Sequence, residues 1–266
     1  MSPDGRFPRG IHSQCECPQR SCRDLRTPAT SARASFHIRC TSGLRVIALD
    51  ERVAFIGDIH GDRVRLSALL ARLDSPNRRL IFLGDYVDHG PDSREIVEIL
   101  LEIVNRQPNS VFLSGNHEIG LLAFLSGKLS FLEYAWMGGL PTIRSYLSKA
   151  NRDVRSELVA AMPKPHFEFL RNCKPFFETN NFLASHAGVN PACPESRELA
   201  EIVLGRHPSL FHDGLRLGKL VVCGHYLQTT QTPFFSKCVI CLNTGCGTIG
   251  GPATALLYPE MTFLQA

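Results

Sequence analysis

Short apolar runs alternate with stretches of helical periodicity, and each run ends in a small polar cluster. Arg52 to Ile56 is a four- to five-residue apolar run closing on Gly57-Asp58, and Val64 to Leu73 then repeats its apolar positions at helical spacing. Leu80 to Leu83 repeats the first pattern and closes on Gly84-Asp85. Ser93 to Val104 follows, with Ile96, Leu100 and Ile103 on one helical face. Val111 to Leu113 closes on Ser-Gly-Asn-His. The pattern predicts strand, helix, strand, helix, strand, with polar groups delivered to the carboxyl ends of the strands, where open α/β sheets place ligands.

Further along, Phe176 to Glu178 and Phe182 to Ser185 flank Asn180-Asn181, the pattern of a hairpin whose second strand ends in His186. Lys219 to Cys223 ends in Gly224-His225, and Cys238 to Leu242 and Ala253 to Tyr258 read as later strands. No internal repeat is present. The longest near-apolar run, Ile99 to Val104, is broken by Glu102 and is too short to span a bilayer.

Composition adds a boundary. At 266 residues, 44% hydrophobic and 20% charged, the chain is of ordinary globular composition. The formal charge of +4 lies in residues 1–50, which hold eight Arg against four acids, so residues 51–266 balance at 21 against 21. A basic stripe on the folded part, the mark of a nucleic-acid binder, is therefore missing. Residues 1–50, rich in Pro, Ser and Arg, read as a disordered basic extension, and residues 51–266 as one folded domain. Without an apolar export segment, cytoplasmic placement and reduced thiols are expected. Cys15, Cys17, Cys22 and Cys40 lack the paired spacing of a zinc site.

The strand-end clusters are Asp58-Ile-His60-Gly, Asp85-Tyr-Val-Asp88, Asn116-His117-Glu118, His186-Ala-Gly188 and Gly224-His225. Carboxylates, imidazoles and an amide oxygen, with no thiolate, suit a pair of first-row divalent ions. Two such ions need one carboxylate to bridge them, and Asp85 is the candidate.

The motifs GDIHG at 57–61, GDYVDHG at 84–90, GNHE at 115–118, SHAG at 185–188 and GH at 224–225 resemble those of the calcineurin-like metallophosphoesterases. They are most similar to the bacterial branch of the serine/threonine phosphoprotein phosphatases. WMGGLPTIRSYL at 136–147 and LNTGCGTIGG at 242–251 extend the resemblance to roughly residues 52–260.

The resemblance implies an α/β (α+β) sandwich of two mixed β-sheets flanked by helices. It implies that Asp58, His60 and Asp85 hold one ion and that Asp85, Asn116, His186 and His225 hold the other. Manganese is the expected metal, with iron or zinc admitted by the same ligands. The activity implied is hydrolysis of phosphoric monoesters by a hydroxide that the two ions activate.

His117 would protonate the leaving group and Asp88 would fix its tautomer. Substrate phosphate would meet Asn116 and Arg206, with Arg216 as second choice for the arginine, and also His89. The family usually has arginine where His89 stands.

The substrate implied first is phosphoserine or phosphothreonine in a protein. The alternatives are symmetrical hydrolysis of diadenosine tetraphosphate, or a catalytically degenerate protein that binds phospho-ligands. Small phosphoesters or phosphorylated proteins are thus the expected partners, and neither nucleic acid nor membrane is. Oligomeric state is left open. Cys238 and Cys241 are expected on opposite sides of a strand, Asn243, His207 and His212 outside the ligand set, and Trp136 and Met137 in packing.

Overall fold

The computed structural model describes residues 52–73, 77–149 and 152–266, all within the unit Val46–Ala266. The expected N-terminal extension and its four cysteines lie outside the described residues. The elements run β1 (Val53–Ile56), α1 (Arg63–Arg72), β2 (Arg79–Phe82), α2 (Ser93–Arg106) and β3 (Val111–Phe112). Helices α3 (Asn116–Leu125), α4 (Phe131–Trp136), α5 (Leu140–Tyr146), α6 (Val154–Ala161) and α7 (Lys164–Asn172) follow. Then come β4 (Phe176–Glu178), β5 (Phe182–Ser185), α8 (Leu199–Ile202), β6 (Leu220–Cys223), β7 (Phe234–Phe235), β8 (Val239–Cys241), β9 (Thr254–Tyr258) and β10 (Thr262–Gln265).

The strands form two five-stranded sheets, ordered β10-β9-β1-β2-β3 and β4-β5-β6-β8-β7. Both are mixed. β1, β2 and β3 are parallel while β9 and β10 run antiparallel beside them. β5, β6 and β8 are parallel, with β4 and β7 antiparallel at the edges. The Asn180-Asn181 turn joins β4 to β5 as the pattern predicted.

Alternation along the strands separates the layers. In β1, Val53 and Phe55 face the second sheet and join Phe182, Val222 and Ile240 in one apolar cluster. Ala54 and Ile56 face the other way and pack with Leu66, Leu69, Ile96 and Leu100 of α1 and α2. The Phe55 and Phe182 rings meet edge to face at 5.0 Å between centroids, tying the sheets together. Val221, Cys223, Val239 and Cys241 point to the outer face of the second sheet, under Leu210. The expected sandwich flanked by helices is thus the fold observed.

The parallel arrangement explains the site's position. The carboxyl ends of β1, β2 and β3 lie side by side, as do those of β5, β6 and β8, so the loops after them carry the polar clusters toward one another. No helix among the described residues is long and apolar enough to cross a membrane.

Two expectations are corrected. Trp136 does not pack; it is 89% exposed at the end of α4, whereas Met137 does, its Sδ and Cε lying against Gly120. Cys238 and Cys241 do not face opposite sides, because β8 starts only at Val239 and Cys238 sits in the turn before it. The Cys238 thiol donates to the Leu215 carbonyl (3.1 Å) and that of Cys241 to the Gly224 carbonyl (3.2 Å). Both pack against the outer-face cluster.

Candidate metal centre

The loop after β1 and the loop after β2 are knitted together by backbone bonds. The Ile59 and His60 N–H groups donate to the Asp85 carbonyl at 3.0 and 2.9 Å, and that of Gly61 donates to Tyr86 at 2.8 Å. His60, Asp85, Asp88, His89 and His225 all hold positive φ, between 46° and 69°. Side chains rarely adopt that region outside Asn, Asp and His, and such strain concentrates at functional sites.

Three groups of ligand-type atoms result among the described residues, each with all atoms within 4.8 Å of one another: Asp58, His60 and Asp85; Asp85, His186 and His225; and His60, His89 and His117, of which His89 is exposed. Asp85 belongs to the first two. Asn116 joins the second, its Oδ1 lying 3.1 Å from His186 Nε2 and 2.9 Å from His225 Nδ1. The structure thus brings together all six residues singled out as ligands. Gly224 is part of this closeness, since a Cβ there would come within 1.9 Å of Asp58 Oδ1.

The proton arrangement favours a cation between these atoms. His186 Nδ1–H donates to the Leu83 carbonyl (2.9 Å), and His60 Nδ1–H donates to that of Val87 (3.1 Å). Each neutral ring then turns the Nε2 lone pair inward. His186 Nε2 lies 3.2 Å from Asp85 Oδ2 and 3.3 Å from His225 Nδ1, and His60 Nε2 lies 3.6 Å from Asp85 Oδ2. Lone pairs this close repel unless a proton or metal ion sits among them.

The titration directions express the same crowding. Burial, with Asp85 adding to it, pushes Asp58 up to about 7. Burial pulls His60 down to about 3, and burial with His186 does the same to His225. Burial would lower His186 too, but Asp85 and Asp58 outweigh it and raise it to about 10. One imidazolium does what a metal ion would do. The donor set is nitrogen and oxygen only, which fits divalent first-row metals.

His117 enters from the first turn of α3. Its backbone N–H donates to Asp85 Oδ1 (3.1 Å) and its ring Nδ1–H to Asp88 Oδ2 (2.8 Å). Burial opposes the charge on His117, but Asp85 and Asp88 prevail and raise it to about 9. Nε2 is left facing the cluster, 4.0 Å from Asp85 Oδ2. His89 is exposed, with its ring 4.9 Å from that of His60 and 5.0 Å from that of His117, centroid to centroid. Burial, then His117, lowers its pKa. Arg206 is exposed, and its charge acts on His225. Arg216 lies apart, lining an outer pocket with Phe234 and Lys237. His207 and His212 stay outside the three ligand groups, and so does Asn243, whose Oδ1 accepts from the Gly245 N–H at 3.2 Å.

Sequence reasoning missed the residues that hold these groups. Glu118 is fully buried and accepts from the N–H groups of Asp85, Gly115 and Tyr86, each at 2.8 Å, and of Val87 at 3.4 Å. Its signal was present as the capping-box position three after Gly115. Asp88 Oδ1 accepts from Tyr134 Oη (2.6 Å) and Thr142 Oγ1 (2.7 Å). Nothing local marks those two.

The calcineurin-like phosphoesterase family model matches residues 51–228. The chain belongs to this family. It is 26% identical over 237 residues to the asymmetrical bis(5'-nucleosyl)-tetraphosphatase PrpE of Anoxybacillus flavithermus, covering 77% of this chain and 90% of that protein. It is 28% identical over 174 residues to the PP2A-like serine/threonine-protein phosphatase PPG1 of Candida albicans, covering 64% of this chain but 36% of that protein. The solved structure of a protein serine/threonine phosphatase from Saccharomyces cerevisiae has the same fold, with TM-score 0.54 and 14% identity over 82% of this chain and 80% of that one. As a calcineurin-like phosphoesterase, the chain is a hydrolase, and its family typically binds two metal ions.

Proposed function

We propose that this phosphoesterase hydrolyses a phosphorus–oxygen bond with two divalent metal ions, Asp58, His60 and Asp85 holding one and Asp85, Asn116, His186 and His225 the other. The observation that carries this is the pair of ligand groups sharing Asp85. When bound, the ions would supply Lewis acidity and a water of lowered pKa. Manganese is the first candidate.

The chain's own groups account for the rest. His117, its Nδ1–H fixed on Asp88, holds a proton at Nε2 for the departing oxygen. A bond forms from a water oxygen to phosphorus, the bond from phosphorus to the leaving oxygen breaks, and that oxygen takes the proton. Asn116 keeps Oδ1 on the histidines, which turns its NH2 group outward as a phosphate donor, and Arg206 adds fixed charge. His89 contributes one ring nitrogen.

The PrpE match spans 90% of its partner against 36% for the PP2A-like enzyme. That supports a dinucleoside tetraphosphate ahead of a phosphoprotein, reversing the order drawn from sequence, and asymmetrical rather than symmetrical cleavage. The GDYVDHG motif and the 28% identity to PPG1 keep phosphoserine and phosphothreonine as the second reading.

The test is phosphate release from an aryl phosphate by metal-stripped protein with manganese restored, for wild type and Asp85→Asn, with a calorimetric count of bound manganese. Two ions and turnover in wild type alone support the reading. Folded, loaded protein without turnover on aryl phosphate, diadenosine tetraphosphate or phosphopeptide would sink it.

A further inference from the structure

The third ligand group, His60, His89 and His117, is not used as a set by the two ions. Its rings form a near-equilateral triangle, with centroids 4.8 Å apart for His60 and His117, 4.9 Å for His60 and His89, and 5.0 Å for His89 and His117. They meet edge to face, and one nitrogen of each lies within 4.8 Å of one nitrogen of the other two. Two of the rings are already turned for ligation. His60 Nδ1–H donates to the Val87 carbonyl at 3.1 Å and His117 Nδ1–H to Asp88 Oδ2 at 2.8 Å. Both Nε2 atoms therefore point inward, with the outer partners that metal-bound imidazoles usually have. The third ring is placed by Gly138. The His89 N–H donates to the Gly138 carbonyl at 3.0 Å, and its ring lies on the bare face of that glycine, where a Cβ would come within 2.5 Å of Cε1. With the arginine usual in the family at this position, the group would hold only two imidazoles.

The donor set is nitrogen alone. The other two groups both contain Asp85 and suit an ion that accepts oxygen, such as manganese, whereas three imidazoles with an open fourth position are an arrangement for zinc. Asp85 Oδ2, 3.6 Å from His60 Nε2 and 4.0 Å from His117 Nε2, supplies negative charge beside the set. Nitrogens bound tetrahedrally to zinc lie about 3.3 Å apart, so the three need close by no more than about 1.5 Å, and His89, the exposed member, has room to turn.

We infer that His60, His89 and His117 form a further metal site, selective for zinc over manganese and inhibitory to the hydrolysis. The inhibition follows from sharing. His60 has one inward lone pair, so an ion at this site takes it from the group of Asp58, His60 and Asp85. His117 Nε2 cannot hold both this ion and the proton meant for the departing oxygen. Zinc thus removes a ligand of one catalytic ion and the acid together. The inhibition rests on the phosphoesterase reading; the site itself does not.

The experiment adds one equivalent of zinc to manganese-loaded full-length protein, as wild type, His89→Asn and His89→Arg. Asparagine also tolerates the positive φ of 62° at this position. X-ray absorption at the zinc edge counts imidazoles on zinc, and turnover of p-nitrophenyl phosphate is followed against zinc concentration, each protein relative to its own zinc-free rate. Wild type is expected to show three imidazoles, where the other two groups can give one or two, and to lose turnover about 100-fold or more at saturation. In both variants the count should fall to two or fewer and the half-inhibiting zinc concentration rise about tenfold or more. Two or fewer imidazoles on zinc in wild type overturn the site, a result that needs no variant to fold. Half-inhibition within about twofold of wild type, in variants with unchanged circular dichroism and manganese content, overturns inhibition through this site, as does undiminished turnover with three imidazoles bound. Absence of turnover before zinc is added overturns the phosphoesterase reading instead, and the absorption spectrum still decides the site.

Discussion

Replacing Glu118 by glutamine should damage the metal centre without touching a ligand. The carboxylate spans two loops: Oε2 takes the N–H groups of Asp85 and Gly115, and Oε1 those of Tyr86 and Val87. Glutamine has one oxygen. In its better orientation it keeps the two 2.8 Å bonds to Asp85 and Gly115 and aims NH2 at the Tyr86 and Val87 N–H groups. Two bonds to a charged acceptor are lost, from Tyr86 at 2.8 Å and from Val87 at 3.4 Å; the shorter is worth about 1.5–3 kcal/mol, and its buried N–H is orphaned at about 1–3 kcal/mol, the long one adding little. Relief of a buried charge offsets part of this, leaving about 2–4 kcal/mol. Because burial, then Asp85, pushes Glu118 up to about 7, the comparison belongs at pH 8, where it is ionised. With a urea m-value of about 2 kcal/mol/M, the midpoint should fall by about 1–2 M. Manganese affinity, titrated calorimetrically, should weaken about 10–100-fold, as for other residues behind a ligand. A midpoint within about 0.3 M of wild type, or unchanged manganese affinity in a destabilised variant, would refute the view that Glu118 positions Asp85.

Asp88→Asn removes the anion that orients His117, so kcat should drop about 100-fold or more with KM little changed, read by steady-state kinetics. In metal-free protein His117 and His186 are raised to about 9 and about 10. Both folded values exceed the unfolded 6.5, so their stabilising effect is complete below pH 6.5 and is lost as pH rises through 9 and 10. The urea midpoint of metal-free protein should therefore fall from pH 7 to pH 10, and a flat profile would contradict it. Trp136 is the single tryptophan and is 89% exposed, so its emission should already be near that of free indole and shift little on unfolding, while iodide quenches it in the native state. Trp136→Ala should change stability by less than about 0.5 kcal/mol, checked by thermal melting.

The ligands were legible because each follows the end of a short apolar run. Asp58, Asp85, Asn116, His186 and His225 stand one to four residues past β1, β2, β3, β5 and β6, so strand order alone collects them. The supports were not. Tyr134 lies 46 positions from Asp88 and Thr142 lies 54, and their bonds to it exist only because α4 and α5 pack over the loop after β2. Residues 121–175 hold half of α3 and all of α4 to α7, and the one stretch of them that the resemblance touches, 136–147, marks no residue as a support. Trp136 shows the limit of pattern from the other side, since an aromatic residue at a helix end says nothing of whether a neighbour covers it. β3 proved two residues long, and Leu113, expected within it, instead bridges to Lys174.

The supports and the strain belong to one account. His60, Asp85, Asp88, His89 and His225 all sit at positive φ, a region that costs an L-residue about 1–2 kcal/mol, less for Asp and His with local bonds. That cost is met by bonds between loops. The loop after β1 donates to Asp85 and Tyr86, Glu118 gathers the loop after β2, Asp85 accepts from His117, and Tyr134 and Thr142 grip Asp88. The turns after β1, β2 and β3 thus hold one another, which fixes Asp58, His60, Asp85 and Asn116 through bonds within the chain. A site built this way spends little on reorganisation when it is loaded. It also makes the supports, more than any single ligand, the place where substitution should cost stability and metal affinity together.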